Sequence, residues 1–409
     1  MRVVHVNLRL AVALGVLALA TPAHASPVAA HAMMHTCCTP AAEKDRVFRE
    51  ASALHASYIR VDVELTGDLS HLDEIVRLSR RHDLPVLGIL VVPPDFTDAA
   101  EFGRLTGRAV ERAGGAIPAW EVMNEPDADY AFHGTPEQYA RMLSAAYEAI
   151  KARAPDAQVS IGGLVDPRRT GWLARVFRTP GADARHRFDI ASLHLRGPVD
   201  LVVNRYREFS AWLAARGFHG PVWVTEHGYP ADPNFQVDPA YAGGAEAQAA
   251  YLTQSLVGLG EAWAPEIFVT LRDNPALLPA NATEGIVGRP AFDAVRRVAD
   301  DWDQLRAWRA EQRESARAVP AELAAARASS AQARAAAARA QLAGRRLRSL
   351  ERRGSGGRLA TLRAFFAGSE VARLWHTAHA RRHRELARER AATARALAKR
   401  IAWHPRAGG

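Results

Sequence analysis

Cysteine is nearly missing from this chain. Among 409 residues there are two, Cys37 and Cys38, and they are neighbours. Adjacent cysteines close a vicinal disulfide or none, so no long-range staple holds the fold. They read as two small apolar residues on or near a first strand. No Cys/His set has the spacing of a structural zinc site. Long apolar runs are scarce too. After Ala20 no uncharged stretch is long enough to cross a bilayer, so no transmembrane span is expected in the mature chain. No Gly-rich phosphate loop follows the first strand-like segment, which argues against dinucleotide binding. No metal or organic cofactor is implied. Beyond residue 300 lysine is represented by Lys399 alone, and β-branched residues are few.

What is present divides the chain in two. Hydrophobic residues make up 48% and charged residues 24%, enough for a sizeable core. The net charge of +9 is unevenly spread. Residues 301–409 hold 24 of the 53 Lys and Arg but 9 of the 44 Asp and Glu. At the N-terminus, Arg2 and Arg9 flank the start of an apolar run from Leu10 to Ala20, and Ala23-His24-Ala25 offers a small-x-small cleavage site. Residues 1–25 therefore read as a secretory signal, and the mature protein is expected to be secreted or associated with the cell wall.

From residue 29 to about 298, short apolar strands alternate with helical stretches. Strands are expected at Tyr58–Val63, Pro85–Val92, Ala119–Asn124, Gln158–Leu164, Phe188–His194, Val222–Glu226 and Ile267–Leu271, with a weak first strand near His31–Cys37. Eight such units in this length have the size of an α/β fold of the (β/α)8 barrel type. One helix is well marked. Thr135 can cap it, Pro136 suits its first position, Gln138 completes a capping box, and apolar residues recur from Tyr139 to Ile150. Residues 299–409 are rich in Ala and Arg and read as an all-α region. Two or three long helices fold back on one another there, with a turn at Gly354–Gly357.

Two carboxylates stand out. Glu125 ends the run Trp120-Glu121-Val122-Met123-Asn124-Glu125-Pro126, and Glu226 ends Val222-Trp223-Val224-Thr225-Glu226. Two carboxyls at the same ends of two strands of one sheet are the equipment for splitting a glycosidic bond. The surrounding motifs resemble clan A glycoside hydrolases, which include family 5 cellulases and family 39 xylosidases. Asn124-Glu125-Pro126 and Thr225-Glu226 resemble the ends of that clan's fourth and seventh strands. Tyr58-Ile59-Arg60-Val61-Asp62 resembles the second, Phe188 to His194 the sixth, and Leu271-Arg272-Asp273-Asn274 with Glu284-Gly285 the eighth and its return. The resemblance implies Glu125 as acid/base, Glu226 as nucleophile, Asn124 on a sugar hydroxyl, Arg60 as support for the nucleophile, and His194 bonded to Glu226 or to the sugar. Tyr229 would face the sugar. Trp120 reads as core and Glu121 as a deeper ion-pair partner; Tyr130 and His133 lie on the following loop.

The chain departs from the clan at two places. Where members carry a Tyr after the sixth-strand His, Arg196 stands here, and the eighth-strand Trp is replaced by the run containing Arg272. Two arginines in place of aromatics suggest an acidic glycan. The reading is thus a retaining glycosidase acting on a poly- or oligosaccharide. The alternative is a catalytically silent barrel that binds glycan at the cell surface. The basic region 299–409 suits a polyanionic cell-surface polymer, or reads as a solvated helical appendage or oligomerisation helix, and no nucleic-acid motif accompanies its charge.

Overall fold

The computed structural model describes residues 26–402, apart from 167, 169, 242 and 353–358. The segment read as a signal, the Gly354–Gly357 turn and the last seven residues lie outside the described ones.

Eight strands run parallel: β1 (Val28–His35), β2 (Ile59–Glu64), β3 (Val86–Val91), β4 (Ala119–Val122), β5 (Gln158–Ile161), β6 (Ala191–Leu195), β7 (Val222–His227) and β8 (Ile267–Thr270). Their order is sequential, and β1 pairs with β8. Only the bridges Ser160↔Ile190 and Leu164↔Leu193 join β5 to β6, so the barrel is nearly closed. Helices α1 (Ala41–Ala53), α2 (His71–His82), α3 (Ala99–Ala113), α4 (Pro136–Arg153), α5 (Thr170–Arg178), α6 (Val199–Ala214), α7 (Ala245–Glu261) and α8 (Pro290–Asp300) surround it. The fold is a (β/α)8 barrel followed by an all-helical region.

Local chemistry explains the elements. The α4 capping box forms as its sequence dictates, with Gln138 N donating to Thr135 Oγ1 and Thr135 N to Gln138 Oε1. On α3, Asp98 accepts from the backbone of Ala100 and Glu101, each at 3.0 Å, and Gly114 stops the helix in a left-handed conformation. Such a cap is worth about 1 kcal/mol. Side chains of Ala29, Leu87, Ala119, Ile190, Trp223 and Phe268 form the floor inside the barrel. A larger apolar layer joins the strands to the helices.

Two strand positions differ from the sequence reading. β1 starts three residues earlier than expected, because Val28 to Ala30 pair with Ile267 to Val269 of β8. β6 starts later, at Ala191, because Asp189 turns its carboxylate onto Val159 N (2.8 Å) before the strand begins. The two cysteines follow β1 at the surface and are joined in a vicinal disulfide, where unlinked apolar residues were expected. Thr36 is the residue that turns inward at this point.

After the barrel come α9 (Trp302–Arg352) and α10 (Leu359–Ile401). The two run antiparallel: Arg363 bonds Glu351 (2.9 Å) near one end and His383 bonds Glu322 (2.7 Å) further along. Their root is held by the barrel. Trp302 covers Gly260, Arg313 and Arg309 meet Glu261, and Arg297 of α8 donates to the carbonyls of Arg400 and Ala402. Between the helices the buried side chains are mostly alanines, among them Ala326, Ala336, Ala340, Ala380 and Ala387. No helix among the described residues is long and apolar enough to cross a membrane.

Candidate active site

Above the apolar floor, the barrel's inner layer turns polar. His31, Arg60, Glu121, Ser160, Ser192 and His194 are all buried. Strand alternation accounts for most of them. Ala29 and His31 share a side of β1, as do Ala119 and Glu121 of β4. Glu226 does not follow from alternation. Trp223 belongs to the inner floor, so strict alternation would send Glu226 to the helix side. Between Leu193↔Val224 and His194↔Glu226 the register slips, with Thr225 as the extra residue. The same slip shows against β8, where Val224↔Ile267 is followed by His227↔Val269. This bulge re-aims the carboxylate into the barrel. Glu125 is reached differently. Met123 and Glu125 adopt left-handed backbone, with φ of 66° and 47°. Non-glycine residues hold such conformations at a cost of about 1–3 kcal/mol, and they gather at functional sites.

Arg60 organises the centre. Its Nε and Nη2 donate to Glu121 (2.8 and 3.1 Å), its Nη1 to Glu226 Oε1 (3.0 Å), and its Nη2 also to Asn124 Oδ1 (2.7 Å). The last bond fixes the Asn124 amide with its nitrogen left for a ligand. Glu121 also accepts from Gly163 N (2.8 Å), so its carboxylate is satisfied and remains a support. His31 stands beside them, 3.2 Å from Arg60 Nη1 and 3.5 Å from Glu226 Oε1. Burial first, and then Arg60, push its ring down to about 3, so it is neutral at pH 7.

The two carboxylates differ in surroundings. A ligand oxygen of Glu125, a ring nitrogen of His194 and an oxygen of Glu226 all lie within 4.8 Å of one another. Burial opposes ionisation of Glu226, but His194, His31, Arg60 and Arg196 together hold its carboxyl well below the usual range. Arg196 contributes through Nη2 at 3.3 Å and is itself gripped by Glu284 through two bonds of 2.8 Å. Glu125 accepts from His194 Nδ1 at 2.7 Å and from the Tyr130 hydroxyl. Burial and the charge of Glu226 raise its pKa, yet the His194 bond and Tyr130 leave it lowered. Both groups are therefore held ionised, whereas a general acid needs a raised value. Among the described residues His194 Nε2 and Thr225 Oγ1 are buried without a hydrogen-bond partner, both close to Gly163, where a Cβ would collide with each.

These residues sit at the base of a cleft of about 860 Å³ at the C-terminal ends of the strands. Its walls include Met33, Asp62, Tyr130, Arg205, Leu277 and Asn281. Of the residues expected in the site, Arg60, Asn124, Glu125, His194, Arg196 and Glu226 line this cleft. Tyr229 does not. It is buried among Tyr241 and Tyr251, with its hydroxyl on the Tyr241 carbonyl. Arg272 does not either; it is paired with Glu50 and Glu43 of α1. Trp120 is fully buried, and His133 is exposed away from the cleft walls.

The sequence reading missed His31, Asp62 and Glu284 as site residues. His31 was hidden because the first strand was set three residues late. Asp62 lay in a quoted motif and is half-buried, and the loss of water around it pushes its carboxyl up to about 6. Glu284 lies in a loop, where no periodicity marks it. Glu125, His194 and Glu226 are spaced as metal ligands could be. The charge a divalent ion would bring is already supplied by Arg60 and Arg196, so this donor set fits a cation poorly.

No protein-family model and no curated protein matches the sequence. Solved structures do match by shape. A glucosidase from Croceicoccus marinus aligns over 68% of this chain and 68% of its own, with a TM-score of 0.53 and 17% identity. That likeness is one of fold. A beta-glucuronidase from an uncultured Clostridium sp. aligns at a TM-score of 0.48 and 12% identity, over 67% of this chain and 51% of its own. An endo-beta-1,3-glucanase from Amycolatopsis mediterranei aligns at 0.42 and 16%, over 66% of this chain and 98% of its own. At those scores neither bears on what this barrel does.

Proposed function

We propose that the protein is a retaining glycoside hydrolase with Glu226 as nucleophile and Glu125 as acid/base. The observation that carries this is the approach of the two carboxylates, one oxygen of Glu125 lying within 4.8 Å of one oxygen of Glu226 across the cleft floor. Retaining enzymes hold their carboxyls about 5–5.5 Å apart, whereas inverting ones leave roughly 6.5–9.5 Å for a water. The roles follow from charge. Glu226 has two guanidiniums on it and stays ionised; Glu125 has none, only His194 and Tyr130.

In the first step, a Glu226 oxygen bonds the anomeric carbon while the glycosidic C–O bond breaks and its oxygen takes a proton from Glu125. In the second, Glu125 removes a proton from water, the water oxygen bonds the anomeric carbon, and Glu226 leaves. Glu125 must therefore be protonated before cleavage. A bound sugar that shuts out water favours this, because desolvation disfavours the carboxylate. The Asn124 amide, oriented by Arg60, suits the sugar hydroxyl next to the reacting carbon.

The substrate is a carbohydrate. Neither Arg196 nor Arg272 is free for an acidic substituent, but Arg205 of α6 lines the cleft with its Nε unmatched among the described residues. One guanidinium at the wall favours a uronate or another anionic sugar in a neighbouring subsite. The decisive experiment is a screen of aryl glycosides and of uronate-rich and neutral polymers, with wild type beside Glu226→Ala. Loss of activity in the variant, restored by azide, identifies the nucleophile. Unchanged activity in Glu226→Ala sinks the assignment and favours a silent glycan-binding barrel. Equal cleavage of neutral polymers removes the acidic preference alone.

A further inference from the structure

The outer part of the helical hairpin has a face that its own packing leaves unused. On α10, Ser369, Ala380 and Ala387 are buried on the side toward α9, and the Phe366 ring approaches Gly344 of α9. At 100° per residue, the opposite side between 364 and 378 presents Ala364, Ala367, Val371, Leu374, Trp375 and Ala378. All six are exposed. Val371 is 66% exposed, Leu374 58% and Trp375 54%. A two-helix hairpin in water should turn charge outward along this line. Here four turns carry none.

The charge lies around the strip instead. The described residues between 345 and 382 include eight arginines and two glutamates, a net of +6. This combination selects among occupants. A second copy of the hairpin would bring the same excess of positive charge into contact with it. A soluble polyanion would meet the arginines but leave the apolar strip in water. The surface of an anionic bilayer satisfies both, with the strip at the acyl boundary and the guanidiniums among the phosphates. Trp beside Arg suits this boundary. The helix lies on the bilayer, since no described helix is apolar enough to cross one. From Trp375 to the root at Ile401 is 26 residues of α10, about 39 Å, so the contact lies well away from the barrel.

We propose that the α10 face from Ala364 to Ala378 docks on an anionic lipid bilayer. The test uses the full chain with sedimenting vesicles of phosphatidylcholine alone, or with 30 mol% phosphatidylglycerol (a composition chosen as about physiological in charge). The anionic vesicles should bind at least roughly tenfold more tightly than the neutral ones, with affinity falling as salt rises. Leu374→Glu should reduce that binding roughly tenfold. Thr377→Glu, which adds the same charge off the strip, should change it less than about threefold. Both side chains are exposed, and circular dichroism checks that the helices persist. Trp375→Ala provides a second variant without added charge and should also weaken binding. Equal losses in Leu374→Glu and Thr377→Glu would overturn the proposal. So would vesicle binding that is absent while soluble alginate binds, or a self-association in ultracentrifugation that Leu374→Glu abolishes.

Discussion

The barrel and the hairpin bury their side chains in opposite ways. The barrel fills its layers with large residues: Trp120, Phe102, Tyr139, Phe209 and Phe268 are fully buried. The hairpin closes on alanines. An alanine buries little apolar area, so each contact stabilises weakly and length must supply the sum. The barrel can therefore tolerate a layer of buried charge at its top. The hairpin holds its charge outside. The proposed chemistry and the proposed bilayer contact thus fall on parts of the molecule stabilised by different means.

The largest effect should come from the barrel's buried charge. Arg60→Ala leaves Glu121, Glu226 and Asn124 without their cation, and breaking such a buried network costs about 3–5 kcal/mol. Urea unfolding should show it, and activity should vanish with it. A loss under about 1 kcal/mol would mean that the polar layer is solvated and unlike a core. Next comes Glu266 at the base of β8, whose carboxyl burial pushes up to about 8 despite a bond from Ser57. Its folded value lies above the unfolded one, so the folded state is favoured at low pH and loses stability from about pH 4.5 to about 8. Glu266→Gln should therefore raise stability by a few kcal/mol at pH 8 and leave it unchanged at pH 4.5, read by thermal melts at both.

His194→Gln addresses reactivity. His194 holds the Glu125 carboxyl down, so with Glu125 as the proposed acid, kcat/KM should fall above an acidic midpoint. Removing His194 lets the Glu125 value rise, and that falling limb should move to higher pH. A limb that stays in place would assign it to another group. The smallest effect belongs to the hairpin. Ala336→Gly should cost about 1 kcal/mol, mostly backbone entropy and helix propensity. A cost as large as that of Phe102→Ala, about 3–5 kcal/mol, would erase the contrast between the two regions.

Much of the barrel was legible because its signals are local. Strand length, the α4 capping box and the paired Glu motifs each occupy a few adjacent residues. Arg196 and Arg272 show where locality ends. Both stand just after strand-end motifs, and nothing nearby separates them. Their fates depend on Glu284 and Glu50, partners 88 and 222 residues away. Tyr229 was misplaced for a similar reason, since Tyr241 and Tyr251 draw it into the core. The Thr225 bulge, too, is visible only once β6 and β8 are paired with β7.

Glu284 also bears on how such a protein could change. The segment from Asn274 to Glu284 supplies cleft wall through Asn274, Leu277, Leu278 and Asn281, and Asn281 bonds Glu284 at 2.9 Å. The same Glu284 grips Arg196, which touches Glu226. Gly228 keeps that arrangement open, since a Cβ there would come within 2.6 Å of the Glu284 carboxylate. The shape of the cleft wall and the basicity of Glu226 are therefore written on one loop. Grafting a new loop there would also reset Glu226, so this wall cannot be exchanged as an independent module.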